Sequence, residues 1–130
     1  MTTQGRTLKA QLVTALLEST MQDNVKWNTT VNSDTFETSF PEYTAQITAT
    51  ERYDDSEMVT DYIMRIYNNE GALVDEFSDV EVAQENSGFT AYQLMKDLYQ
   101  RARRSSLGSD KAIKDILHYL GVVLEEDIPF

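Results

Sequence analysis

The sequence contains no cysteine. That absence excludes a disulfide scaffold, a thiolate zinc site and a cysteine nucleophile, and it fits a cytoplasmic protein. Histidine is nearly as scarce, with His118 the only one. A lone histidine without a placed nucleophile argues against an acyl-transfer triad. No apolar run approaches the ~18 residues of a membrane helix. The opening residues hold polar positions every few steps and no apolar signal-peptide region. Nucleophile-elbow, phosphate-loop, dinucleotide and zinc-helix motifs are all missing, and no long-period repeat is visible. No cofactor, metal or catalytic residue is therefore assigned, and no membrane association is expected.

What remains is an ordinary soluble composition. The chain has 130 residues, 41% apolar and 25% charged, enough for one domain with a real core. Its net charge of -11 is unevenly laid out. Residues 34–85 carry fourteen acids against only Arg52 and Arg65, whereas 96–114 carry six bases against two acids. An acidic surface of this kind repels phosphate backbones and favours basic partners. Direct nucleic-acid binding is not expected.

Hydrophobic spacing divides the chain into three runs. Residues 7–24 read as an amphipathic helix with Leu8, Leu12, Ala15 and Leu16 on its core stripe, widened by Val13 and Leu17. Thr7 is its expected N-cap and Asn24 its stop. From Lys26 the period becomes two. Trp27, Thr29 and Val31 alternate with polar neighbours, residues 32–35 read as a turn, and Phe36, Thr38 and Phe40 form the next strand before Pro41. Tyr43 to Tyr53 is a strand buried on one face. Asp54-Asp55-Ser56 turns it into Met58 to Tyr67, whose two-sided apolar content marks it as central. Asn68-Asn69-Glu70-Gly71 is a hairpin turn leading to Leu73–Phe77, and 78–88 read as a loop. Helical spacing then returns, with Ala91, Tyr92, Leu94, Met95, Leu98, Tyr99 and Ala102 forming a broad apolar face. Gly108 is a stop, Ser109 or Asp110 a new cap, and Ile113, Ile116, Leu117 and Leu120 the apolar stripe of a last helix that Gly121 can end.

This order predicts an α+β fold. An antiparallel meander of four or five strands carries an N-terminal helix and two C-terminal helices on one face. Residues 1–121 form the domain and 122–130 an acidic tail.

Two charge clusters stand out. Asp54, Asp55, Glu57 and Asp61 lack the glycine and terminal glutamate of a calcium loop and read as solvated hairpin charges. Arg101, Arg103 and Arg104 sit near a helix C-terminus. They complement the helix dipole there, or they contact a carboxylate or phosphate on a partner.

The chain closes on Glu125-Glu126-Asp127-Ile128-Pro129-Phe130. This segment resembles the C-terminal tip of bacterial single-stranded-DNA-binding proteins, where acidic residues precede Ile-Pro-Phe. Glu125 and Glu126 stand where aspartates are more usual. The resemblance covers about six residues and implies a docking peptide. Phe130 would enter an apolar pocket, its carboxylate would meet an arginine, and the acids would steer towards a basic rim. That family's oligonucleotide-binding barrel and Gly/Gln/Pro-rich linker have no counterpart here. The body, with Ile66-Tyr67-Asn68-Asn69-Glu70-Gly71 and Leu98-Tyr99-Gln100-Arg101-Ala102-Arg103-Arg104, is similar to small uncharacterised bacterial proteins, which implies no activity.

The expectation is a non-catalytic protein-interaction module of bacterial or phage origin. Its partner contacts are assigned to Ile128, Pro129, Phe130, Arg101, Arg103 and Arg104. Two alternatives stay open: a small-molecule site between sheet and helices lined by Trp27, Tyr62 and Tyr99, and an acidic inhibitor imitating nucleic acid. Oligomeric state is not legible.

Overall fold

A computed structural model describes residues 6–86 and 89–124. The elements run α1 (Leu8–Met21), β1 (Asn28–Thr29), β2 (Thr35–Ser39), β3 (Tyr43–Asp54), β4 (Glu57–Asn68), β5 (Leu73–Ser78), α2 (Asp79–Glu85), α3 (Ala91–Leu107) and α4 (Ser109–Tyr119). All strand pairs are antiparallel, in the order β1-β2-β3-β4-β5. The α+β meander is thus as the sequence predicts. The two-sided β4 is an interior strand, lying between β3 and β5, with β3 at the middle of the order.

Register explains the two faces of the sheet. Phe36, Ile47, Met64 and Phe77 are direct cross-strand neighbours along one row, and all four are buried. The adjacent row on the opposite face is Glu37, Gln46, Arg65 and Glu76. There Gln46 Nε2 donates to Glu37 Oε1 at 3.0 Å and Arg65 pairs with Glu76. Period-two alternation has placed one row under the helices and the other in water.

The apolar row is covered by α3, which crosses β1 to β4, while α1 packs beside α3. Thr7 caps α1 by accepting the Ala10 N–H. The helix ends three residues before Asn24, because Asp23 takes the left-handed conformation (φ 58°). Its N–H and that of Asn24 then bond back to Thr20 and Ser19, a Schellman closure. The core stripe also differs from expectation. Ala10, Val13, Leu16, Leu17 and Thr20 are buried, whereas Leu8 is 81% exposed and Ala15 lies outside.

The first strand is reduced to Asn28–Thr29: Trp27 precedes it with its ring buried, and Val31 projects from the turn. Phe40 lies beyond the end of β2 and is exposed. Residues 79–85 form α2 rather than a loop. Ser78 accepts the Glu81 N–H while Glu81 accepts the Ser78 N–H, a capping box. Asn86 is buried at its end, accepting the Thr7 N–H at 2.8 Å and donating to Thr7 Oγ1 and the Val82 carbonyl. It ties the start of α1 to the end of α2.

Candidate functional site

Helix α3 ends at Gly108, whose φ of 64° and ψ of 41° let one residue both close α3 and open α4. No side chain caps α4, so neither Ser109 nor Asp110 is its N-cap. At the other end Gly121 (φ 81°) closes α4, with the N–H groups of Gly121 and Val122 bonded to His118 and Leu117. The apolar spacing correctly located this helix, but none of its residues is buried. Ile113, Ile116 and Leu120 are 50%, 59% and 72% exposed. The i, i+3, i+7 spacing puts them on one face. His118 is exposed on the same helix.

The elbow at Gly108 lies against the C-terminal end of α1. Thr20 and Met21 from α1, Asp23 just beyond it, Arg101 and Arg104 from α3, and Lys111 from α4 border a cleft of about 280 Å³. Arg104 donates to Asp110 at 2.7 Å, and Arg101 to Asp97 one turn back at 2.8 Å. Arg101 and Arg104 thus share the cleft because they are one helical turn apart. Arg103 points elsewhere. Its charge is felt by Tyr99, whose phenol is pushed up by burial and by Asp34 and drawn down by Arg103. The arginine run is therefore split into two at the cleft and one away from it. Ile128, Pro129 and Phe130 lie outside the described residues.

The aromatic trio named for a ligand site is packed together with the core. Trp27 is 3% exposed and donates from Nε1 to Thr20 Oγ1 at 3.0 Å. Tyr62 stacks obliquely with Tyr99 at 5.5 Å between ring centroids, and Tyr99 in turn with Phe36. Beside them Asp79 is buried at the start of α2 and accepts the Tyr62 N–H at 2.8 Å. Burial pushes its carboxyl up, against the stabilising Tyr62 N–H. Nothing in the sequence pattern marked this aspartate.

The acidic cluster of the β3–β4 turn is spread along a hairpin. Arg52 pairs with Asp61 at 2.6 Å and with Asp54 at 3.9 Å. Among the described residues no three acidic or histidine side chains converge as a metal site would need, and no helix is long and apolar enough to cross a membrane. No family model, curated protein or solved structure matches the chain.

Proposed function

We propose that this chain is a non-catalytic protein-interaction module and that α4 is its docking element. The observation that carries this reading is the exposed stripe Ile113, Ile116 and Leu120 on a helix capped at both ends by glycine. An amphipathic helix offering anchors at i, i+3 and i+7 fits a hydrophobic groove on another protein. Burying each half-exposed aliphatic side chain is worth on the order of 1 kcal/mol. Arg101 and Arg104 at the neighbouring cleft add charged hydrogen-bond donors for acidic groups on the partner's rim. The polar side of α4 carries a Lys111–Asp115 pair at 2.7 Å, so the helix has no one-signed face of the kind that attracts anionic lipid. The tail with Ile128, Pro129 and Phe130 follows α4 in sequence and is proposed as a second contact.

The test is affinity capture from a lysate of the source organism, quantified by mass spectrometry. Ile113→Asp, Ile116→Asp and a chain lacking Phe130 are compared with Val31→Asp, which changes a fully exposed apolar residue on the turn before β2. Both α4 variants are expected to keep their stability within about 0.5 kcal/mol. The reading requires a set of proteins lost with the α4 variants and retained by Val31→Asp. An identical set in every sample would overturn it.

A further inference from the structure

The two long strands outrun their neighbours. β2 pairs with β3 only as far as Thr35 opposite Thr48, and β5 with β4 only as far as Ser78 opposite Ile63. Beyond these pairs β3 and β4 continue as a two-stranded arm to Asp54 and Glu57. Asp55 and Ser56 both have positive φ, 51° and 70°, which makes a two-residue type I′ turn. Asp54 and Glu57 therefore form the hydrogen-bonded closing pair. Counting back by twos, Arg52 and Thr50 direct their backbone groups to β4, while Glu51 and Tyr53 direct theirs outward, away from β4. The Ala49 N–H confirms this parity by donating to the Asp34 carbonyl at 3.3 Å.

Other edges of the sheet are blunted. β1 is two residues long. On β5 the Asp75 carboxylate accepts the Glu76 N–H, and its pairing with β4 is irregular at Ile66/Tyr67. On β4 the Asp79 carboxylate takes the Tyr62 N–H where β5 stops, although Met58 and Thr60 beyond it have no pairing strand on that side. Side-chain capping, irregularity and brevity are the ordinary protections against unwanted strand pairing. The β3 edge beyond Ala49 shows none of them. Instead it borders a cleft of about 540 Å³ whose lining includes Asp34, Ala49, Glu51, Thr60 and Tyr99.

Acids outnumber bases in this region, although the charge of Arg103 reaches Tyr99. Arg52 is already held by Asp61 and Asp54, leaving Asp34, Glu51, Asp55 and Glu57 without an ion pair among the described residues. We infer that the β3 edge from Ala49 to Asp54 receives an extended segment of a partner protein by strand addition, with a lysine or arginine of that segment seated between Asp34, Glu51 and Tyr99. Backbone bonds to Glu51 and Tyr53 supply the pairing, and the carboxylates with the Tyr99 ring select the cation. A second copy of this chain is disfavoured as occupant, since two such edges would bring like charges together. This surface is separate from α4, and the inference does not rest on the role proposed for that helix.

The probe is an acetylated, amidated peptide of alternating lysine and valine, titrated into the labelled full-length protein. Hydrogen exchange is followed residue by residue by NMR. The expected result is protection of the Glu51 and Tyr53 amides by about tenfold or more at saturation, with shifts confined to the arm and cleft. The same peptide with proline at alternate positions, which removes its donors, is expected to give no protection. An Asp34→Asn/Glu51→Gln double variant, which keeps size and polarity, is expected to weaken the lysine peptide by about tenfold. Three results would overturn the inference: no binding, binding that leaves the Glu51 and Tyr53 amides unprotected, or undiminished affinity in the double variant. Protection that rises with protein concentration in the absence of peptide would assign the edge to a second copy and overturn it equally.

Discussion

The Trp27–Thr20 bond offers the most discriminating test of how the cleft beside Gly108 is held. Thr20 stands in the last turn of α1, on the wall of that cleft. Its hydroxyl accepts from Trp27 Nε1 at 3.0 Å and donates to the Leu16 carbonyl at 2.7 Å, both inside the core. Thr20→Val keeps the shape and removes the oxygen. The Leu16 carbonyl retains its helical N–H partner, so that loss is small. The indole N–H is left buried without an acceptor, which costs about 1–3 kcal/mol. In a chain of this size each kcal/mol moves Tm by roughly 3–5 °C. Trp27→Phe removes the donor as well. With the donor already gone, removing the acceptor costs little, so the double-mutant cycle should yield a coupling of about 1–2 kcal/mol. Urea unfolding is the assay, read by far-UV circular dichroism in all four proteins. In the two proteins that keep it, the single tryptophan gives a second probe. A coupling near zero with unchanged m-values would show that the bond does not pin α1 and would refute the reasoning.

Two further perturbations have worked-out signs. Asp79 is raised because burial penalises its charge, so the native state binds its proton more readily than the unfolded chain does. Its contribution is fully present below the unfolded carboxyl's range and is lost as pH rises through the native value. Asp79→Asn keeps an acceptor for the Tyr62 N–H and cannot ionise. Thermal melts across the acid range should show a flatter profile, with stability near neutrality equal to or above wild type; a steeper profile would contradict the assignment. Asp23 closes α1 at a φ of 58°, where glycine has no steric penalty. Its charge also opposes the helix dipole. Asp23→Gly should raise the urea midpoint by the equivalent of about 0.5–1 kcal/mol, and a lowered midpoint would show that the carboxylate supports the cleft.

The sheet was legible because its strands alternate cleanly. Ala45, Ile47, Tyr62 and Met64 fall under the helices as period two demands. α1 was legible as a helix but not in its orientation. Leu8, Ala10, Leu12, Val13, Ala15, Leu16 and Leu17 surround most of its circumference, so spacing alone selects no face. The face chosen carries Ala10, against an α3 that buries Ala91 and Ala102, and small side chains let helices approach closely. α2 was hidden because Ser78 and Glu81 look like two more polar residues in an acidic stretch until their reciprocal bonds are seen. The arginine run was visible as a cluster, yet a helix turns about 100° per residue. Arg101 and Arg104 therefore meet at the cleft while Arg103 does not. The apolar stripe of α4 was legible as a pattern, but its exposure was not, since periodicity reports which residues share a face and not what covers it.

The contrast between the body and α4 bears on how docking would be driven. Within the described residues no buried side-chain nitrogen or oxygen lacks a hydrogen-bond partner, and the water-facing row of the sheet pairs its own charges. That row, with its polar groups already paired, has little to gain from a partner. α4 is different. Isolated helices shorter than ~12–15 residues are marginal in water. α4 has 11 residues and is held by the glycine elbow, the closure at Gly121 and the Lys111–Asp115 pair. Those local devices order the helix before any partner arrives. Docking through α4, as proposed, would then gain the burial of Ile113, Ile116 and Leu120 without the full ordering cost of folding the segment. Substituting Gly108 or Gly121 should therefore weaken binding through the helix's preorganisation, even though neither residue need touch the partner.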